Sequence, residues 1–297
     1  MAEALSTSVV VAYLRALRPH QWLKNLLLFL PALAGHEFSE RTLIPVLIAF
    51  ASFSLGASSM YALNDWIDLP HDRAHPEKRH RPFAAGIIPA NHAVVLSLFL
   101  AAISVALAFI LPRFFVLSLA TYFCLAMSYS FYLKRKLMID VVALAGLYGI
   151  RVVAGSIVTG IVLSQWLSAF CFFIFLSLAL MKRTTEITFL PRSSEDNVKG
   201  RGYRRVDLPI LNALTVASGF VAVLILALYI NSPDVKVLYR MPDLLWGICV
   251  ILVYWLGRSF LLTGRGEMRQ DPVVFAATDH NSLLAGILIV AVFLAAI

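Results

Sequence analysis

Met60-Tyr-Ala-Leu-Asn-Asp-Trp-Ile-Asp-Leu-Pro-His-Asp-Arg-Ala-His-Pro-Glu-Lys-Arg-His-Arg-Pro-Phe-Ala-Ala-Gly86 is a polar stretch set between two long apolar runs. It carries four oxygen donors, Asn64, Asp65, Asp68 and Asp72, and four cations, Arg73, Lys78, Arg79 and Arg81. If the helix entering from Ala51 continues through Asp68, about 100° per residue places Asn64, Asp68 and Asp72 in one stripe, with Tyr61 and Asp65 flanking it. Oxygen donors at that spacing suit Mg²⁺, a hard cation that takes one or two protein carboxylates and completes its octahedron with water and substrate phosphates. The cations that follow suit those phosphates through charge-assisted hydrogen bonds. Any loop between two hydrophobic helices is polar, and a simple water boundary accounts for the cations. It accounts less well for the acids, because crowded carboxylates repel unless something positive sits among them. His71 and His75 also stand four apart, a zinc spacing, but no cysteine or third helical histidine accompanies them, so the stretch reads as a magnesium site.

Working outward, the 297 residues are 60% apolar and 14% charged, with a mean hydropathy of +0.81. This excludes an ordinary soluble domain and predicts an all-α integral membrane protein. At about 20 residues per crossing the chain has room for about nine transmembrane helices. Apolar runs place them at Gln21 to Gly35, Leu43 to Asp68, Ala90 to Leu111, Phe114 to Leu133, Leu137 to Leu163, Gln165 to Met181, Leu208 to Ile230, Leu244 to Leu262 and Ser282 to Ile297. Residues 1–20 read as a short amphipathic segment along the membrane surface, since the apolar run Ser8 to Leu17 leads into Arg18-Pro-His-Gln-Trp22 and not into a cleavage site. No linker or composition shift divides residues 1–297, which are expected to form one domain. Cys124, Cys171 and Cys249 lie within apolar runs, with no disulfide or metal spacing.

The net charge is +8 and the pI about 9.6. Of the 25 Lys and Arg, 20 fall on the N-terminal side of this topology and four on the other, with Arg151 inside a span. The positive-inside rule then puts the N-terminus and the polar loops in the cytoplasm of an inner (plasma) membrane, and no nucleic-acid partner is needed to explain the charge.

The remaining polar residues gather on that same side. Tyr129-Ser-Phe-Tyr-Leu-Lys134 precedes Asp140, and Arg151 follows eleven residues later on the same helix face, about 16 Å along the axis. An arginine at mid-membrane costs at least about 2.5 kcal/mol by insertion scales, so Arg151 lines a cavity or pairs with a neighbouring helix; both readings stand. The sixth run ends Met181-Lys-Arg-Thr-Thr-Glu186, placing Lys182, Arg183 and Glu186 where an anionic headgroup would arrive. Arg192, Lys199 and Arg204 are explained by topology alone. Asp271-Pro272 looks like the start of a surface helix without an assigned role.

Asn64-Asp-x-x-Asp68-x-x-x-Asp72 followed by His75-Pro-x-Lys78-x-x-Arg81-Pro-x-Ala-Ala-Gly86 resembles the UbiA superfamily of intramembrane prenyltransferases. Leu17-Arg-Pro-His-Gln-Trp-Leu-Lys-Asn25, Tyr148-x-x-Arg151-x-x-Ala-Gly155 and Lys182-Arg183-x-x-Glu186 are similar to its decaprenyl-phosphate phosphoribosyltransferase branch. The resemblance covers nearly the whole chain. It implies nine helices around a central cavity open to lipid, with Asn64, Asp68 and Asp72 binding a Mg²⁺-diphosphate at the cytoplasmic rim. Aromatic prenyltransferases of the superfamily carry a second aspartate-rich motif after the sixth helix. Here that place holds Lys182-Arg-Thr-Thr-Glu186, with only Glu195 and Asp196 beyond, which suits a lipid monophosphate beside a single metal.

The implied reaction moves 5-phosphoribose from phosphoribosyl diphosphate to a polyprenyl (decaprenyl) phosphate. Asn64, Asp68 and Asp72 are expected at the metal, with Asp65 supporting, and Lys134 and Asp140 among the catalytic groups. Lys78, Arg81 and Lys134 are expected on the sugar phosphates, and Lys182, Arg183 and Lys24 on the lipid phosphate. Tyr61, Tyr129, Arg151 and Glu186 complete the expected substrate site. The alternative is a prenyltransferase of the 4-hydroxybenzoate type, in which Arg151 binds the acceptor carboxylate. A transporter is expected to show broken helices in paired positions and polar groups on both sides of the midplane, whereas this chain concentrates its polar groups at one rim.

Overall fold

The computed structural model describes residues 2–74, 78–189, 202–268 and 271–297, so His75, Arg192, Glu195, Asp196 and Lys199 lie outside the described residues. Among these, helices follow one another without a strand: α1 (Ala2–Ala16), a 3-10 helix (Pro19–Phe29), α2 (Leu30–Ala34), α3 (Glu40–Ile67), α4 (Leu69–Ala74), α5 (Ala90–Ala108), α6 (Arg113–Phe131), α7 (Ile139–Thr159), α8 (Gln165–Thr188), α9 (Leu208–Ile230), α10 (Pro233–Leu238), α11 (Trp246–Gly264), α12 (Pro272–Thr278) and α13 (His280–Ala296). The chain forms two compact units, Met1–Phe131 with Ile150–Val162, and Tyr132–Gly149 with Leu163–Ile297.

Seven helical segments are long and apolar enough to cross a membrane, and the pair α12 and α13, bent by 81°, makes an eighth if it counts as one span. Leu98 on α5 is 68% exposed and Ile287 on α13 is 65% exposed, a burden in water and the normal state of a lipid-facing side chain. The protein is multi-pass.

The first expected run takes a different form. Gln21 to Gly35 is no membrane-length α-helix but a long 3-10 helix leading into the five-residue α2. Its packing supplies a reason. Trp22 Nε1 donates to Ser58 Oγ at 2.9 Å and Asn25 Nδ2 to Ser54 Oγ at 3.0 Å, so three residues of one helix keep step with four of α3. Three 3-10 residues and four α residues both rise about 6 Å, and only the tighter winding keeps these rungs in register.

In the first unit α3 packs on α5 through small residues. Ser52 and Ser104 each donate to the other's carbonyl at 2.8 and 2.7 Å, Ser59 donates to the Ser97 carbonyl at 2.8 Å, and Gly56 lies between these contacts. Small residues let backbones approach, and buried hydroxyls find carbonyl partners, as membrane helix pairs require. The C-terminal half of α7 meets the 3-10 helix in the same way at Gly155, where a Cβ would collide with the Leu28 carbonyl oxygen and carbon. Because backbone cannot swing aside, Gly155→Ala is expected to destabilise the protein by about 1–3 kcal/mol, read as a lower melting temperature in detergent. An unchanged melting temperature would show that this contact relaxes freely.

In the second unit α8 lies along α9, with Ser177 Oγ donating to the Thr215 carbonyl at 2.8 Å beside Gly219. α11 and α13 are tied by Trp255 Nε1 to Ser282 Oγ at 3.0 Å and by Arg258, whose guanidinium takes both oxygens of Asp279 at 2.7 and 3.0 Å. The expected helix start at Asp271-Pro272 is present, with the Asp271 carboxylate accepting the Val273 N–H at 3.1 Å.

Candidate active site

The polar stretch does not stay one straight helix. α3 ends at Ile67, Asp68 caps it at φ −87° and ψ 4°, and α4 begins at Leu69, immediately before Pro70. Even so, the Asp68 N–H reaches the Asn64 carbonyl and the Asp72 N–H reaches the Asp68 carbonyl, each at 2.9 Å, so the four-residue ladder continues through the bend. The expected stripe survives along the backbone while its side chains divide.

Asn64 Nδ2 donates to Asp68 Oδ2 at 3.0 Å. Asp72 accepts from Arg81 Nη1 at 2.6 Å, and the same nitrogen lies 3.2 Å from Asp65 Oδ1, which Arg18 also holds. Asp65 and Asp72 are each only 2% exposed, so two carboxylates and two guanidiniums balance inside the first unit. Among the described residues no three acids, histidines or cysteines gather as a ready metal site. Asp65 and Asp72 are each drawn onto guanidiniums, away from the Asn64 and Asp68 pair. As donor chemistry the set Asn64, Asp65, Asp68 and Asp72 is all oxygen, which fits a hard cation and not a thiophilic one.

Arg18, quoted above only within the Leu17 to Asn25 motif and among the basic residues, is the residue whose role in the site sequence reasoning missed. It adopts φ 51° and ψ 59°, a left-handed conformation that a non-glycine residue before proline pays for in strain of about 1–3 kcal/mol. The strain turns its guanidinium onto Asp65 and to within 5.0 Å of the Tyr61 ring centre. Burial lowers the Arg18 pKa from its ordinary value and Asp65 opposes this; starting so far above neutrality, the guanidinium stays charged. Tyr61 in turn donates to Gln21 Oε1 at 3.3 Å.

Deeper in the same unit Arg151, 4% exposed, donates from Nε to Asn25 Oδ1 at 2.7 Å and lies 4.9 Å from the Tyr122 ring centre and 6.0 Å from that of Phe53. Lys24 is buried on the 3-10 helix, one residue before Asn25. Lys78 is exposed in the turn Lys78–His80, and Tyr129 is half-buried near the end of α6.

The second unit holds its own charged cluster. Arg183, 1% exposed, donates from Nε to Asp140 Oδ2 at 2.5 Å and from Nη1 to Glu186. Asp140 is fully buried and also accepts from the Tyr203 hydroxyl at 2.5 Å, while Tyr203 accepts the Met138 N–H at 3.0 Å. Burial first, and then the bond to Asp140, pushes the Tyr203 phenol far above its usual value, so it remains a proton donor. Lys134 sits half-buried in the 3-10 turn Leu133–Arg135. Lys182 Nζ meets Asp271 at 3.1 Å, giving the segment without an expected role a partner among the expected site residues. A cavity of about 330 Å³ in this unit, lined by Asn212, Thr215, Phe260 and Arg265 among others, touches none of the expected site residues.

A profile of the UbiA prenyltransferase family matches residues 25–283. The chain is 35% identical to the uncharacterized protein y4nM of Sinorhizobium fredii over 96% of its own length and 55% of y4nM, and so spans about half of that relative. It is 35% identical to the nodulation protein NoeC of Azorhizobium caulinodans, covering 92% of this chain and 89% of NoeC. The decaprenyl-phosphate phosphoribosyltransferase of Corynebacterium glutamicum is 39% identical over 61% of this chain and 56% of that enzyme. A UbiA homolog from Archaeoglobus fulgidus bound to DMAPP and Mg²⁺ has the same fold, with a TM-score of 0.65, 20% identity, and coverage of 95% of this chain and 98% of that one.

Proposed function

The chain belongs to the UbiA prenyltransferase family, and on that footing we propose that it transfers 5-phosphoribose from phosphoribosyl diphosphate to a polyprenyl phosphate such as decaprenyl phosphate, releasing diphosphate. The observation that carries this reading is the joining of acids and guanidiniums around Asp65 and Asp72, beside the Asn64 and Asp68 pair. It is supported by the corynebacterial relative and by the tying of Arg183 to Glu186 near the C-terminal end of α8 and to Asp140 at the start of α7, which engages Glu186 in the place where the resemblance would put a second metal.

Asn64, Asp68 and Asp72 are the residues that would hold Mg²⁺, with Asp65 supporting; bound there, the ion would supply charge neutralisation for the departing diphosphate. Arg81, Lys78 and Lys134 grip the phosphates of the donor. The bond from the anomeric carbon to the diphosphate oxygen breaks and its electron pair leaves with diphosphate. The oxocarbenium-like centre is captured by an oxygen of the polyprenyl phosphate. That oxygen is already ionised at neutral pH, so no general base is needed. Lys182 is assigned to the lipid phosphate, while Arg183 is enclosed by the Asp140 and Glu186 carboxylates. Tyr61, Tyr129 and Arg151 are assigned to the substrates in this reading. In this reading the polar loops and the N-terminus lie on the cytoplasmic side of the plasma membrane, supported by the Lys and Arg bias.

Purified protein in lipid-detergent micelles is expected to convert phosphoribosyl diphosphate and polyprenyl phosphate to a phosphoribosylated lipid, seen by mass spectrometry and lost when Mg²⁺ is chelated. A parallel tube offers polyprenyl diphosphate and 4-hydroxybenzoate. Product only in that tube would replace this reading with aromatic prenylation and give Arg151 the acceptor carboxylate.

A further inference from the structure

Tyr203 belongs to none of the motifs, yet its hydroxyl bonds two groups in the segment that opens α7. It donates to Asp140 at the start of α7 and accepts the N–H of Met138, whose backbone is held at φ 60°. Its ring is buried in the same apolar cluster as Val141, Leu180 and Leu211. The preceding Gly202 sits so closely over the turn that a Cβ there would lie 2.9 Å from the Arg135 carbonyl oxygen and 3.3 Å from the Leu137 side chain. Residues 202 and 203 are thus seated on the segment that carries Lys134 and leads into Asp140. The same Asp140 carboxylate fixes Arg183, and Arg183 holds Glu186.

We propose that Tyr203 is a positioning residue for the transfer reaction: gripped between the Met138 N–H and the Asp140 carboxylate, it sets the Lys134 turn and, through Asp140, the orientation of Arg183. The role rests on the phosphoribosyl-transfer reading above. A left-handed Met138 would drift toward ordinary backbone once its N–H lost this acceptor, taking Lys134 out of place. The hydroxyl acts and the ring merely packs, so Tyr203→Phe separates the two.

The test is kinetic and conformational. In full-length protein in micelles, Tyr203→Phe is expected to lower kcat about 10- to 30-fold with the KM of each substrate changed less than threefold and the melting temperature nearly preserved. In an Asp140→Asn background the same substitution is expected to cost less, because the part of its effect routed through Asp140 is already lost and only the part routed through Met138 remains. Amide exchange across 133–140, which needs no substrate, is expected to speed up in Tyr203→Phe. Unchanged kcat, an equal loss in both backgrounds, or a loss no larger than the fall in folded protein would each overturn the proposal. A wild type that phosphoribosylates nothing would instead overturn the reading of the reaction, and amide exchange then decides by itself whether Tyr203 holds the turn.

Discussion

Asp68→Asn and Asp72→Asn are each expected to cut turnover by at least about 10²–10³-fold, the scale set by removing one group that stabilises developing charge. Both proteins should still insert and keep near-normal melting temperatures. The two positions lie one and two ladder steps beyond Asn64, the Asp68 carboxylate against the Asn64 amide and the Asp72 carboxylate against Arg81. Asparagine keeps the shape and one oxygen but removes the charge, so the loss is electrostatic. At Asp72 the Arg81 guanidinium still has Asp65 to hold, which protects the fold. If these residues carry Mg²⁺, the residual activity of Asp68→Asn should rise with added Mg²⁺, whereas a purely structural defect would be indifferent to it. Normal turnover in both variants would sink the metal assignment.

The largest stability effect is expected at Arg183. Its side chain is 1% exposed and that of Asp140 is 0%, so Arg183→Met leaves a buried carboxylate with Tyr203 in place of its cation. Breaking such a pair from one side costs about 3–5 kcal/mol, whereas removing both partners together is nearly neutral. Arg183→Met should therefore lower the melting temperature sharply, and adding Asp140→Asn should restore much of it. Glu186, 31% exposed, can turn to water and needs no such compensation. A double variant as unstable as the single one would mean that the guanidinium stabilises by packing and not by pairing with Asp140.

Hydropathy was enough to read the membrane class and the approximate positions of the long helices, because lipid demands long apolar helices. The helix start at Asp271-Pro272 was equally legible, being local chemistry. The aspartate spacing was legible along the backbone, since a four-residue ladder is a property of the helix itself. What the side chains do was not. Pro70 lies just beyond the end of α3 at Ile67, and guanidiniums distant in the chain claim two of the acids.

Sequence by itself thus determined the long helices, their family pattern and the candidate acids, for each follows from composition or from residues within a few turns. Only the tertiary structure decided that the first apolar run winds as a 3-10 helix, that Arg18 takes a strained backbone to reach Asp65, and that Tyr203 clasps Asp140. Each of these depends on a partner 29 to 63 residues away. The rung spacing of a neighbouring helix, the charge of a distant carboxylate and the fit of glycine on a carbonyl act through space, and no local pattern encodes them.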